Sequence, residues 1–303
     1  MKDDAQLRGN PAAFLESSIK NHVRQSPLNR LEDFGGGPIF DDPLVGFADG
    51  DDPIFEQYKS VIGEFHYTPR EMLASSAGEQ PEPGHHTPES VTVVAIVLPL
   101  ARWVRESNRK MTDGPSAVWN AARWLGQAYS DDLAASLSSG LREAGFSAVT
   151  PEKTPLFHLV DLPDGPSSNW SQRHAAYAAG LGTFSLNDGL ITPKGIAVRC
   201  CSVVTDLKVP ATPRRFANHL ANCLYFADGS CRACIDRCRF GALSTDGHDK
   251  SRCSETLHVT LKDWLTRPGY MGRYAACGLC QTRVPCESRV PARTAGNTPT
   301  PQK

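Results

Sequence analysis

Hydrophobic residues along this chain fall into recognisable patterns. Val91-Thr92-Val93-Val94-Ala95-Ile96-Val97-Leu98 is an unbroken, mostly β-branched run, the kind buried in the middle of a sheet. After it, Trp119, Ala122, Leu125, Tyr129, Leu133, Leu137 and Leu141 recur at helical spacing, and Gly145 supplies a stop. That stripe predicts a helix packed on the core. Leu156 to Val160 and Ile196 to Val204 read as further strands. Between them, Ser168 or Asn169 is a candidate cap for a helix from Trp170 to Ala179, ended by Gly180.

Polar punctuation divides the chain. Residues 1–88 are rich in Gly, Pro and Asp, with Gly35-Gly36-Gly37-Pro38 and Pro81-Glu82-Pro83-Gly84 as loop signals. They predict a loop-rich N-terminal extension with short helices near Ala13 to Val23 and Pro53 to Ile62. Residues 89–210 predict an α/β core, and 211–290 carry eight of the 10 cysteines. The Pro/Thr-rich tail, 291–303, has almost nothing to bury and is expected to be disordered.

Composition narrows the class. Hydrophobic residues at 40% and charged residues at 21% fit a globular protein able to bury a core. The longest strongly apolar run, Val91 to Leu100, is too short to cross a bilayer. Met1-Lys2-Asp3-Asp4 lacks the order of a secretory signal, and no twin-arginine leader is visible, so a cytoplasmic location is expected. There cysteines stay reduced unless they bind metal or do redox chemistry. The net charge of −1 hides an asymmetry: 17 of the 32 Lys and Arg, but 8 of the 33 Asp and Glu, lie from Lys194 onward. A basic half suggests nucleic acid. The favoured account is that Arg232, Arg237, Arg239 and Arg273 balance the charge of anionic metal clusters.

The cysteines carry the clearest chemistry. One group reads Cys223-x7-Cys231-x2-Cys234-x3-Cys238; the other is Cys253, then Cys277-x2-Cys280-x5-Cys286. A four-iron cluster needs four converging thiolates, and CxxC turns present two sulfurs on one side of a cube. In two-cluster ferredoxins the last cysteine of a motif crosses to the other cluster. Applied here, one [4Fe–4S] cluster takes Cys223, Cys231, Cys234 and Cys286, and the second takes Cys238, Cys253, Cys277 and Cys280. Zinc also uses paired CxxC motifs and is the competing reading. Cys231, Cys234 and Cys238 followed by Gly241-Ala242-Leu243 favour the ferredoxin-like one. Asp228, three residues before Cys231, is an alternative to Cys223, although a carboxylate is a harder and poorer ligand for such a cluster. Cys200 and Cys201 adjoin in a predicted strand and should face opposite sides, one a buried small hydrophobe and one a surface or cleft thiol.

Arg173-His174-Ala175-Ala176-Tyr177-Ala178-Ala179-Gly180-Leu181-Gly182-Thr183-Phe184 resembles the helix-to-loop segment of epoxyqueuosine reductases. Gly189-Leu190-Ile191-Thr192, Val203-Val204-Thr205-Asp206-Leu207 and the double cysteine cluster fit the same pattern, over about Ser90 to Val290. Reductive dehalogenases share this architecture more distantly. The resemblance implies an α/β (α+β) core of the nitroreductase-like, cobalamin-binding type, followed by a ferredoxin-like double-cluster domain. It also implies that the clusters reduce a corrinoid, which attacks an electrophilic substrate while a nearby acid completes the reduction. Arg173, Ala179, Gly180, Leu181 and Gly182 would then line the corrinoid. Asp161 and Asp164 are the candidates for the acid, with His174 as a proton carrier and Tyr177 as a phenolic donor.

Trp170 and Tyr177 share a helix face and read first as core, and His85-His86 reads as a solvated loop. The expected function is therefore an iron–sulfur oxidoreductase that removes oxygen or halogen from a small or nucleoside-like substrate. Its expected electron donor is of ferredoxin or flavodoxin type. The CGLCQTRVPCE stretch, and a chain ending soon after its last cysteine, make tRNA the less favoured substrate. The alternative is a ferredoxin-like electron carrier without corrinoid or catalysis of its own.

Overall fold

The computed structural model describes residues 4–75 and 88–292. The Pro81–Gly84 loop signal, His85-His86, Met1–Asp3 and the tail from residue 293 onward lie outside them. The chain has a mixed α/β fold whose main elements, in order, are α1 (Pro11–Gln25), β1 (Leu44–Asp49), β2 (Thr92–Pro99), α2 (Arg102–Arg109), α3 (Ala117–Glu143), β3 (Ala148–Val149), β4 (Leu159–Leu162), β5 (Gly165–Ser168), α4 (Gln172–Ala178) and β6 (Val198–Thr205).

An antiparallel sheet in the order β1–β2–β6–β3 forms the centre. All eight residues of β2 are buried, and the two sheet faces divide them. Val94, Ile96 and Leu98 pack with Leu15, Ile19 and Val23 of α1 and with Tyr129, Leu133 and Leu141 of α3. Val93, Ala95 and Val97 point the other way, against Phe55, Tyr58, Met72 and the alanines of α4. Alternation of side chains along a strand, with helices on both faces, is why the run is continuously apolar. Each fully buried Val or Ile contributes roughly 1.5–3 kcal/mol.

The helical stripe forms α3, with Ser116 capping its start by accepting from the Trp119 N–H. Leu125 is the exception within the stripe: it is exposed, on the outer side of the helix. Residues 4–75 carry more of the core than their Gly-, Pro- and Asp-rich composition suggests. They supply α1, an edge strand of the sheet, and the helices Ile54–Val61 and Pro69–Ser75.

The helix expected from Trp170 begins two residues later. Ser171, rather than Ser168 or Asn169, is its cap and accepts from the His174 N–H. Ser168 ends the hairpin β4–β5, and the Asn169 side chain donates to Leu156 O at 2.7 Å, so neither is free to cap. Trp170 is buried, its indole N–H donating to Ser202 Oγ at 3.1 Å. Cys201 sits in the core beneath α3, and Cys200 faces the other way and lines a cavity, as strand alternation requires. No helix among the described residues is long and apolar enough to cross a membrane.

Candidate cluster centre and adjoining cavity

From residue 211 to 290 the chain forms short pieces, and cysteines sit at their ends or within them. Cys223 precedes the helix Leu224–Asp228, Cys234 lies in Ala233–Arg237 and Cys238 terminates it. Cys253 is in α5 (Lys250–Glu255) and Cys280 in the single turn Leu279–Gln281. The fold gathers these thiols into two sets. The electrostatic neighbours of Cys286 are Cys223, Cys234 and Cys231; those of Cys277 include Cys253 and Cys238. Cys280 belongs with Cys277, Cys253 and Cys238, and also feels Cys234, so the sets adjoin.

Burial, reinforced by mutual repulsion, pushes the thiols of Cys234, Cys277 and Cys286 up to about 12 and raises that of Cys280 well above its ordinary value. Thiols held this way ionise when positive charge enters among them, as they would on binding a metal. The donor set also fits four-iron clusters in its local bonding. Backbone N–H groups of Cys234 and Ile235 serve the Cys234 sulfur, and that of Leu279 serves Cys277. Arg237 lies beside Cys277 and Cys280 and is anchored by carbonyls of Met111 at 2.9 Å and Thr282 at 3.1 Å. Asp228 instead turns its carboxylate on the Ser230 N–H at 2.9 Å, and Cys223, not Asp228, neighbours Cys234 and Cys286. Among the described residues no three His, Cys, Asp or Glu side chains converge as closely as a single metal ion requires.

Cys238, Cys253, Cys277 and Cys280 open onto a cavity of about 590 Å³ between the cysteine region and the α/β core. That volume suits a small molecule. The other set lines a separate space of about 20 Å³. The 590 Å³ cavity is also lined by Arg123, Gln127, Glu152, Trp170, Gln172 and Arg199.

The expected catalytic and corrinoid residues are distributed unevenly around this cavity. Arg173 lines it, as do Gly189 and Leu190 from the same resemblance. His174, Tyr177, Ala179, Gly180, Leu181 and Gly182 are absent from its walls. Gly180 has φ +72°, and a Cβ there would lie 2.8 Å from Pro213 O; at Gly182 one would lie 2.7 Å from Ile191 O. Both glycines therefore serve chain-on-chain packing. Burial holds His174 near pKa 3 and hence neutral, its Nδ1 2.8 Å from Ser171 Oγ. Tyr177 packs against Phe184. Asp161 and Asp164 are exposed on the β4–β5 hairpin, with Asp164 4.0 Å from Lys250. The residues named for a corrinoid thus fit the cavity only in part.

Glu152 is the carboxylic acid that does line the cavity, and burial raises its pKa. His248 also lines it: burial opposes its charge, but bonds to Asp188 at 2.9 Å and to Cys253 outweigh burial and bring it to about 9. Glu152, Gln127, Arg123 and His248 gave no spacing signal. Arg199 gave one, as a lone charge inside the apolar run Ile196 to Val204.

No protein-family model matches the sequence, and a search of curated proteins finds no match. Solved structures do match. The catabolic reductive dehalogenase NpRdhA in complex with 3-bromo-4-hydroxybenzoic acid aligns with 92% of this chain and 37% of its own, at 18% identity and TM-score 0.51. Another reductive dehalogenase structure, described with a mechanism for B12-dependent dehalogenation, aligns with 89% of this chain and 36% of its own, at 17% identity and TM-score 0.48. Epoxyqueuosine reductase from Bacillus subtilis aligns with 91% of this chain and 66% of its own, at 18% identity and TM-score 0.45. The chain thus spans just under two thirds of the epoxyqueuosine reductases and little more than a third of the dehalogenases. Epoxyqueuosine reductases and reductive dehalogenases are thus among the structural neighbours of this chain, a likeness of fold at low sequence identity.

Proposed function

We propose that the chain is an iron–sulfur reductase. In it, two [4Fe–4S] clusters, held by the two cysteine sets of a ferredoxin-like region, pass electrons into the cavity for reductive removal of oxygen or halogen from a small substrate. The observation that carries this reading is that Cys238, Cys253, Cys277 and Cys280 line the same cavity as Glu152 and Arg199. An electron source and a proton source then face one chamber. A pure electron carrier has no need of such a chamber, which disfavours the alternative.

Clusters in series supply single electrons at low potential. Replacing a carbon–halogen or carbon–oxygen bond by carbon–hydrogen consumes two electrons and one proton and releases the halide or oxygen anion. Cys223, Cys231, Cys234 and Cys286 would hold the cluster that receives the electrons, and Cys238, Cys253, Cys277 and Cys280 the one that supplies them at the cavity. Glu152, whose raised pKa keeps a proton available nearer neutral pH, delivers that proton. Trp170, Leu190 and Ile196 wall the chamber with apolar surface and limit water. The donor is a small one-electron protein of ferredoxin or flavodoxin type, and the substrate a small or nucleoside-like molecule.

The test is metal analysis of protein purified anaerobically from cells supplied with cobalamin. About eight irons per chain are expected. Zinc in their place overturns the reading, and about one cobalt assigns the immediate acceptor in the cavity to a corrinoid rather than to the substrate itself.

A further inference from the structure

Several arginines around the fold have an acidic partner: Arg24 pairs with Asp42, Arg70 with Asp51, Arg109 with Glu287 and Arg214 with Asp52. Arg123 of α3 and Arg199 of β6 differ. Both line the cavity, and among the described residues neither has a carboxylate within ion-pair distance. They meet instead at a neutral amide, with Arg199 Nη1 donating to Gln127 Oε1 at 3.1 Å and Arg123 Nη1 to the same oxygen at 3.4 Å. Arg123 Nη2 also donates to Tyr274 Oη at 2.9 Å.

Two guanidinium groups side by side inside a protein repel each other and lose hydration. Burial, with Arg123 second, lowers Arg199 to about 9. Arg199's charged neighbours are Arg123, Tyr274, Glu152 and Cys200, none of them a cluster ligand. Neutralising a cluster is the role of Arg237, beside Cys277 and Cys280. Glu152 is the one carboxylic acid among the neighbours of Arg199, and burial disfavours its charge, so the cavity is where a full counter-charge for the arginine pair can enter.

A second orphan lies in the same wall. Gln172 is paired with Glu152, but its Oε1 is buried with no hydrogen-bond partner among the described residues. An acceptor left empty at a cavity wall calls for a donor on the occupant.

We propose that Arg123 and Arg199 form the anion-binding end of this cavity and that its substrate is a small organic carboxylate bearing a hydroxyl or amino group. The carboxylate sits between the guanidinium groups, in the planar geometry that suits them, and the donor group meets Gln172 Oε1. Glu152, beside both, is then placed over the reacting part of the molecule. The inference rests on the cavity being the substrate chamber of the reductase.

The test uses the full chain, purified anaerobically, with sodium benzoate as probe and benzamide as its uncharged analogue. Binding is read by calorimetry and by the fluorescence of Trp119 and Trp170, which line the cavity. Benzoate is expected to bind saturably and benzamide at least about tenfold more weakly. Arg123→Gln and Arg199→Gln should each weaken benzoate about tenfold or more, and Arg199→Lys less than Arg199→Gln. Arg24→Gln, on the outer surface, should change nothing. Equal binding of the two probes, binding of neither, or retention of benzoate in both glutamine variants overturns the proposal. So does inorganic phosphate displacing benzoate at equal concentration, which would assign the site to phosphate. If Arg199→Gln fails to fold, Arg123→Gln and the contrast between the probes decide. Iron content measured on the same samples separates the two readings: a full iron complement without carboxylate selectivity sinks this inference alone, and selectivity without iron sinks the reductase alone.

Discussion

The eight consecutive buried residues of β2 contrast with residues 211–290, where the longest regular segment runs six residues. Around β2, two clusters of apolar side chains fill both faces of a sheet. The cysteine region shares a much smaller cluster, built on Leu186, Ile191, Ile196, Cys223 and Val284, three of which belong to the core side of the chain. With that much buried hydrocarbon the core is expected to fold by itself. The other region relies on whatever binds its thiols, since segments so short are not stable alone.

Removing iron with a chelator under reducing conditions is the most severe way to break that comparison. The expected outcome is a folded sheet carrying an unfolded C-terminal region: trypsin, with mass spectrometry, should cut at Arg232, Arg237, Arg239 and Arg252 while the core stays whole. Cys280→Ser should produce a milder version, with loss of about half the iron. If core and cysteine region collapse together, the core is not independent and the contrast fails.

A second test separates proton from electron delivery. Glu152→Gln should lower turnover about 10²–10⁴-fold, the usual worth of a general acid, with iron content unchanged. It should also raise Tm at neutral pH. Burial raises the Glu152 pKa, so the folded state holds its proton more tightly than the unfolded chain. The resulting stability is present at low pH and is lost as pH rises through the folded pKa; glutamine removes that loss. A variant with lower Tm and full turnover would remove Glu152 from its role.

Between the two regions lies a fastening whose loss should be smaller. Glu287 is 3% exposed and takes Arg109 at 2.7 Å, Arg105 at 3.3 Å and the Arg283 N–H at 2.7 Å. It thereby ties the end of the cysteine region to α2. Glu287→Gln should cost about 3 kcal/mol in urea unfolding, the lower end for a buried pair because Arg109 is 44% exposed. Iron should also leave faster. Unchanged stability would mean that the two regions are held by the cavity walls alone.

How much of this was legible in the sequence follows the same division. The run at Val91 and the stripe from Trp119 to Leu141 are local patterns, and both became the elements they suggest. The edge strand Leu44–Asp49 was missed because its pairing with β2 is long-range and its glycine reads as a break. Gly46 is there because a Cβ would lie 2.6 Å from Ala179 O. The cysteine spacing pointed to two groups of thiols, since close ligands on short turns must be local. The cavity wall was not legible: Arg123, Glu152, Gln172 and Arg199 come from a helix, a short 3-10 turn, a second helix and a strand, and only folding brings them together. Asp161 and Asp164, the acids expected beside the glycine segment, lie exposed on the hairpin β4–β5.

The smallest effect tests whether short segments of the cysteine region add anything of their own. Asp249 caps α5, which carries Cys253, by accepting from the Arg252 N–H at 2.8 Å. Asp249→Ala should cost about 1 kcal/mol in the iron-loaded protein, because the cap then acts within an ordered helix. In iron-free protein the same substitution should cost nothing measurable, because the helix it caps is not formed there. Urea midpoints of both variants, with and without iron, give the four values needed. A cap worth as much without iron as with it would show that α5 folds unaided, and would move the boundary between the self-supporting and metal-supported regions past residue 250.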